Sequence, residues 1–244
     1  MNMTLSIIIP AYNEGNKIAT TLHTITSYLP ATLNYEILVV TNGCTDLTAI
    51  IVQDFKAIVS KRVCLIDLKE RGKGLAVRTG MLMAKGQYRY MCDADLSTPI
   101  TALESFLRAL SKSDGIVIGS REDKNSNVNT TLRRYMIGRI FNTMAGWLVP
   151  GIKDTQCGFK MFTGPVAEQI FSRCRINGMA FDVEALYLAQ QAGLRIIQLP
   201  VRWKHNPDSR VRLVRDSARM AADLARIWAI HATRMPQVKN KLPI

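Results

Sequence analysis

Short, β-rich apolar runs alternate with segments of helical period, and this alternation constrains the fold more than any other feature of the chain. The runs are LSIIIP (5–10), YEILVV (35–40), VCLIDL (63–68), YRYMCDAD (88–95) and GIVIGS (115–120). Each is nearly continuous in apolar residues, as in strands buried on both faces of a parallel sheet. Residues 16–28, 45–55, 73–84 and 99–110 read as the intervening helices, the last with Ser97 and Thr98 as cap candidates and Pro99 in its first turn. The spacing predicts an α/β domain with a doubly wound, mostly parallel central sheet flanked by helices. Ligands of such sheets bind beyond the C-terminal strand ends. Asn13 with Glu14, residues 42–46, residues 70–73 and Asp93 with Asp95 all fall there, so four strands would converge on one crevice.

Further along, helices are expected near 132–148, 165–174 and 182–192, the last closed by Gly193, with the Gly-containing segment GIKDTQCGFKMF after the first. RIIQLPVRW reads as another strand. A chain of 244 residues, 48% hydrophobic, can bury one full core, and the expected division is a domain over 1–211 and a basic tail over 212–244. The net charge of +13 predicts attraction to polyanions: nucleic acid, anionic headgroups or phosphorylated substrates. From Arg202 onward there are ten Lys and Arg against three Asp. The five cysteines lack C-x-x-C spacing, which suggests neither a zinc site nor a disulfide framework and fits reduced thiols in the cytosol. MNMTLSIIIPAYNE reads as a first strand and not as a signal peptide. No apolar stretch approaches the roughly 20 residues of a membrane-spanning helix, so any membrane contact is expected to be peripheral.

Asp93 and Asp95 pose a local problem. On a strand they would share a face roughly 7 Å apart, where their repulsion at an effective dielectric of about 20 is roughly 2 kcal/mol. A cation should offset it. The pair suits Mg2+ or Mn2+, which takes one or two carboxylates plus phosphate oxygens, and it equally suits an acidic turn at a helix start.

IIIPAYNE, TNGCTD, ERGKGLAVRTGM, MCDADLSTP, DTQCGFKMF and GMAFDVE occur in this order, and together they resemble the family 2 glycosyltransferases of GT-A fold. Within that family the chain looks most like polyprenyl-phosphate glycosyltransferases of the dolichyl-phosphate β-glucosyltransferase type. The resemblance implies a nucleotide-sugar site made of Pro10, Ala11, Tyr12, Asn13 and Glu14 in a first loop, Asn42 and Asp46 in a second, and Arg71, Gly72 and Lys73 in a third. Many members have Asp where Asn42 stands, so a neutral polar contact is expected there. Glycines that admit a ligand and a lysine at a helix start also suit phosphate. The resemblance further gives Asp93 to the nucleotide, Asp95 to the metal, Arg121 to the diphosphate, and Trp203, Ser209 and Arg210 to a closing loop. Asp182 and Glu184 would lie beside the reacting sugar, the alternative for Asp182 being a helix cap. Arg133 and Arg134 open a helix, an end that disfavours cations, and a lipid phosphate would remove the conflict. Ser97 stands where dolichyl-phosphate mannose synthases usually carry a glutamine ligand, which argues against GDP-mannose.

The implied reaction is metal-dependent inverting transfer of a hexose, glucose from UDP-glucose foremost, to a polyprenyl phosphate at the cytoplasmic face of a membrane. A second reading sends the sugar to a hydroxyl, which would make Asp182 or Glu184 a general base. A third, a nucleic-acid-binding module, is disfavoured because aromatics do not interleave with the basic clusters. In the tail, Arg212, Arg215, Arg219 and Arg226 share one helix face, and Met220, Ala221, Leu224, Ile227 and Trp228 the other. Such a helix suits an anionic membrane surface, or its apolar face packs on the domain.

Overall fold

Successive side chains of each central strand enter two different apolar layers, so the sheet lies in the middle with helices on both sides. The computed structural model describes residues 4–112, 115–122, 126–129, 141–204 and 213–232. Strands β1 (Leu5–Ala11), β2 (Tyr35–Asn42), β3 (Val63–Leu68), β4 (Tyr88–Met91), β5 (Gly115–Ser120), β7 (Lys160–Thr163) and β8 (Arg195–Pro200) form one sheet in the order β3-β2-β1-β4-β7-β5-β8. β6 (Asn127–Asn129) and β9 (Arg202–Lys204) pair separately. All neighbours in the large sheet are parallel except β7, which runs antiparallel to both β4 and β5.

Ile7, Ile9, Ile37, Val39, Val117 and Met161 face one layer, with α1 (Ile18–Tyr28), α2 (Thr48–Ile58) and α4 (Leu103–Leu110). Ile8, Leu38, Val40, Ile116, Ile118 and Phe162 face the other. That layer holds α3 (Lys73–Met83), α5 (helical over 141–146), α6 (Gly164–Phe171), α7 (Phe181–Gln191) and α8 (Leu213–Ala232). The strand order reverses between β1 and β4, and a crevice is expected outside the carboxyl ends at such a point.

Three expectations are corrected, and of the two placements open to the tail helix one is seen. β4 stops at Met91, so Asp93 and Asp95 sit beyond the strand in a turn where Leu96 has φ 47°. A 3-10 turn at Ile100–Ala102 precedes α4, which begins only at Leu103 and has no side-chain cap. β7 was not expected: its four residues are too few to show a period, and Lys160 interrupts the apolar pattern. The apolar face of α8 packs on the domain, with Met220, Leu224 and Ile227 buried, while Trp228 turns outward. Arg212 lies outside the described residues, and Arg215 is described in its backbone only. Gly193 does close α7, at φ 68°.

Candidate active site at the strand ends

The first three loops are tied to one another before any ligand arrives. Asn13, at φ 53°, accepts from the Thr45 amide at 2.8 Å, and Glu14 donates its amide to Thr48 Oγ1 at 2.8 Å. Asp46 Oδ2 accepts from the Gly15 amide at 3.1 Å, while its Oδ1 accepts from the amide and hydroxyl of Thr48. Asn42 is 3% exposed: its Nδ2 donates to Ala11 O at 2.9 Å and its Oδ1 accepts from the Gly72 amide at 3.1 Å. An amide can do both, which gives a physical reason for Asn over Asp at this position, since an ionised carboxylate has no donor for Ala11 O. The same bonds direct Asn42 to the protein itself. Pro10 and Ala11 are buried at the end of β1, and the Arg71 guanidinium lies 4.2 Å from the centre of the Tyr12 ring.

The cation required by the acidic turn is Lys73. Its Nζ lies 2.7 Å from Asp93 Oδ1. Burial pushes the pKa of Asp93 up, but Lys73, with Lys160 and Arg121 behind it, holds it below the usual carboxylate range. Burial lowers the pKa of Lys73, and Asp93 and Asp182 more than reverse that. Asp95 is held differently: its Oδ1 accepts from the amide and hydroxyl of Ser97 at 3.0 and 2.8 Å. Ser97 therefore braces Asp95 and does not cap α4. The start of α3 is not an open anion site, because Gly74 and Leu75 donate their amides to Asn177 O.

A second buried pair completes the floor. Lys160 Nζ lies 2.6 Å from Asp182 Oδ1, with the two side chains 1% and 4% exposed, and Lys160 also donates to Cys157 O. Because β7 is antiparallel, its first residue pairs with Met91 at the crevice end of β4, which is how Lys160 reaches the site. Burial raises the pKa of Asp182, Lys160 and Lys73 pull it down, Asp93 pushes it up, and the net direction is upward. Asp182 lies in the first turn of α7 but makes no cap bond. Arg121 grips Asp154 with Nε and Nη2 at 2.7 and 2.9 Å, its amide adds a bond of 2.9 Å, and its guanidinium lies 5.3 Å from the Trp203 ring centre.

Glu184 has a different duty from the one expected beside the sugar. Two residues along a helix turn about 200°, so it faces away from Asp182. It is fully buried and accepts from the amides of Arg175 and Ile176 and from His231 Nε2, all at 2.8–2.9 Å. Arg133, Arg134, His205, Ser209 and Arg210 lie outside the described residues. Residue-by-residue reading of the sequence passed over Lys160, Asp154 and Gly158. The available signal was a lysine set among Phe159, Met161 and Phe162, since a cation in such a run must find a partner.

Among the described residues no cluster of three His, Cys, Asp or Glu side chains could hold a metal by itself. Asp95 Oδ2 has no hydrogen bond to a described residue, and one such oxygen is what Mg2+ or Mn2+ needs when a nucleotide diphosphate and water fill its other positions. The residues fit an ion shared with a bound nucleotide.

Known proteins resemble this chain in sequence and in fold. Dolichyl-phosphate beta-glucosyltransferase of Dictyostelium discoideum is 36% identical over 242 residues, covering 93% of this chain and 74% of that protein. The protein of the same name from Drosophila melanogaster is 34% identical, covering 98% and 80%. Among solved structures, glucosyl-3-phosphoglycerate synthase from Mycobacterium tuberculosis in complex with Mn2+, uridine-diphosphate and glucosyl-3-phosphoglycerate has a TM-score of 0.69 at 16% identity, over 92% of this chain and 80% of that one. Its complex with uridine-diphosphate alone gives 0.68 at 15% identity, over 93% and 80%. At that identity the likeness shows the fold, the GT-A arrangement expected from the sequence. The sequence profile described as "Glycosyl transferase family 2" matches residues 6–171, from β1 to the end of α6. That span holds the three linked loops, the acidic turn and Lys160, and the chain belongs to glycosyl transferase family 2.

Proposed function

We propose that the chain is an inverting glucosyltransferase that moves glucose from UDP-glucose to a polyprenyl phosphate. The observation that carries this reading is the 2.6 Å contact between Lys160 and Asp182. A carboxylate buried against a lysine is a poor free base for a hydroxyl acceptor, whereas a phosphate monoester, with a second pKa of about 6, needs no base at neutral pH. The relatives named dolichyl-phosphate beta-glucosyltransferase support the acceptor class and the sugar, and a neighbouring structure titled with Mn2+ and uridine-diphosphate-glucose supports the donor.

In this mechanism Tyr12 and Arg71 form a wall for the base, and Lys73 fixes Asp93 toward the nucleotide. Asp95 would hold Mg2+ or Mn2+, which when bound would supply positive charge against the leaving diphosphate. A phosphate oxygen of the acceptor attacks the anomeric carbon, the bond from that carbon to the UDP oxygen breaks on the opposite face, and UDP leaves with the bonding electrons. Asp182, paired with Lys160, stabilises positive charge developing on the sugar. By resemblance Arg133 and Arg134 are assigned to the acceptor phosphate, and Ser209 and Arg210 to the donor side.

The acceptor places the reaction at a membrane, and we infer a peripheral position on its cytoplasmic face. Among the described residues no helix is long and apolar enough to cross a bilayer. The charge of +13 and the outward-facing Trp147 and Trp228 support a surface contact.

The purified protein would be offered UDP-glucose, UDP-N-acetylglucosamine and GDP-mannose, with and without Mn2+ or Mg2+ and a polyprenyl phosphate. Glucose transfer that needs both lipid and metal is the expected result. Lipid-independent transfer, or none with any donor, would overturn the reading.

A further inference from the structure

We propose that Glu184 and His231 are positioning residues through which α8, at the far end of the chain, sets the seat of the donor loop. One carboxylate joins three segments here. Glu184 belongs to α7, it accepts from the amides of Arg175 and Ile176, and His231 of α8 brings Nε2 to 2.8 Å from its Oε1. His231 is 5% exposed and Glu184 fully buried, so water cannot substitute for a lost partner without opening the structure.

The segment that Glu184 holds also seats the start of α3. Arg78 Nη1 donates to Cys174 O at 2.9 Å, and Asn177 O accepts from Gly74 N at 2.9 Å and Leu75 N at 3.3 Å. There is no slack in this contact: a Cβ on Gly72 would stand 2.6 Å from Asn177 O, and one on Gly74 would stand 2.6 Å from Phe181 Cβ. Lys73 lies between those two glycines and reaches Asp93 at 2.7 Å. α8 approaches the same segment a second time, since a Cβ on Gly178 would meet Asp223 Oδ2 at 3.1 Å. The links from His231 to Glu184, to Ile176 and Asn177, to α3 and to Lys73 run through hydrogen bonds and peptide bonds, the kind of contiguous network along which coupling travels. The proposal rests on the reading of Arg71, Gly72 and Lys73 as the donor loop.

UDP affinity by calorimetry, together with KM and kcat for UDP-glucose, tests it. His231→Ala should weaken UDP binding and raise KM by about tenfold, with kcat at saturating donor within about twofold of wild type. His231→Gln keeps a donor near Glu184 and should restore most of the loss. Leu110→Ala, at the end of α4 in the opposite layer, should lower the melting temperature without changing UDP affinity. Unchanged UDP affinity in His231→Ala, or an equal loss in Leu110→Ala at matched stability, would overturn the proposal. Lys73→Ala separates the two failures. If wild type binds UDP and Lys73→Ala does not, the donor-loop reading stands and His231→Ala alone decides. If Lys73→Ala binds like wild type, that reading falls and this proposal with it.

Discussion

A methyl group added to Gly158 would overlap the carboxylate of Asp93, which lies directly against that backbone. Gly158→Ala should therefore push Asp93 off Lys73 and cut catalytic efficiency about a hundredfold, since a shift of about an ångström in a positioned group costs that much. Efficiency within about twofold of wild type would show that Asp93 need not be held. Asp182→Asn should lose about a hundredfold or more in turnover, and near-normal turnover would remove Asp182 from the reacting centre. Lys160→Met isolates the electrostatics. Lys160 lowers the pKa of Asp182 against burial, so losing it raises that pKa further and moves the acidic limb of the rate profile to higher pH. The variant should also lose about 3–5 kcal/mol of stability by stranding a buried carboxylate, read by urea titration. At this scale the sequence was most legible where chemistry is local. The D-x-D pair announced a missing cation from its own repulsion, but only the fold could say that the cation is twenty residues upstream. Glu184 shows the opposite case, where helical phase and burial, invisible in the motif AFDVE, turn one of two nearby acids away from the crevice.

Helices and strands followed from the sequence wherever a full period was present. α1, α2, α3, α7 and the parallel strands β1, β2, β3 and β5 lie close to where periodicity puts them, because each is long enough to repeat its burial pattern. β7 escaped for want of length, and the turn before α4 because Ser97 bonds to Asp95 in preference to the helix start. At Gly74 two principles compete. Helix propensity favours alanine over glycine by about 1 kcal/mol, but the added Cβ would overlap Ile176 O and stand 2.6 Å from Phe181 Cβ. Overpacking of that kind costs about 1–3 kcal/mol, so Gly74→Ala should be net destabilising in denaturant titration. A stabilised variant would mean that the segment after Cys174 yields easily.

For the molecule as a whole, the proposed membrane contact would draw on the positive charge and on two outward tryptophans. Trp147 is 87% exposed and Trp228 61%. Each ring carries enough apolar area that Trp147→Ala or Trp228→Ala should weaken binding to anionic vesicles by about tenfold, followed by sedimentation, and unchanged binding would place the membrane contact elsewhere. The net charge of +13 is legible in the sequence, whereas the inward docking of Met220, Leu224 and Ile227, and with it the outward turn of Trp228, depended on a partner layer assembled from distant segments. The strand order has a consequence in time. β4 and β5 flank β7, yet both are synthesised before it, and β5 has no other sheet neighbour except the still later β8. A ribosome that has released only the first 150 residues or so thus holds a four-stranded half-sheet with an open edge at β4 and an orphan strand. Arrested chains of that length should be cut readily by protease near 115–120 and become resistant only when residues 160–163 and β8 have emerged, so these two late strands together govern when during translation the growing polypeptide is safest from aggregation.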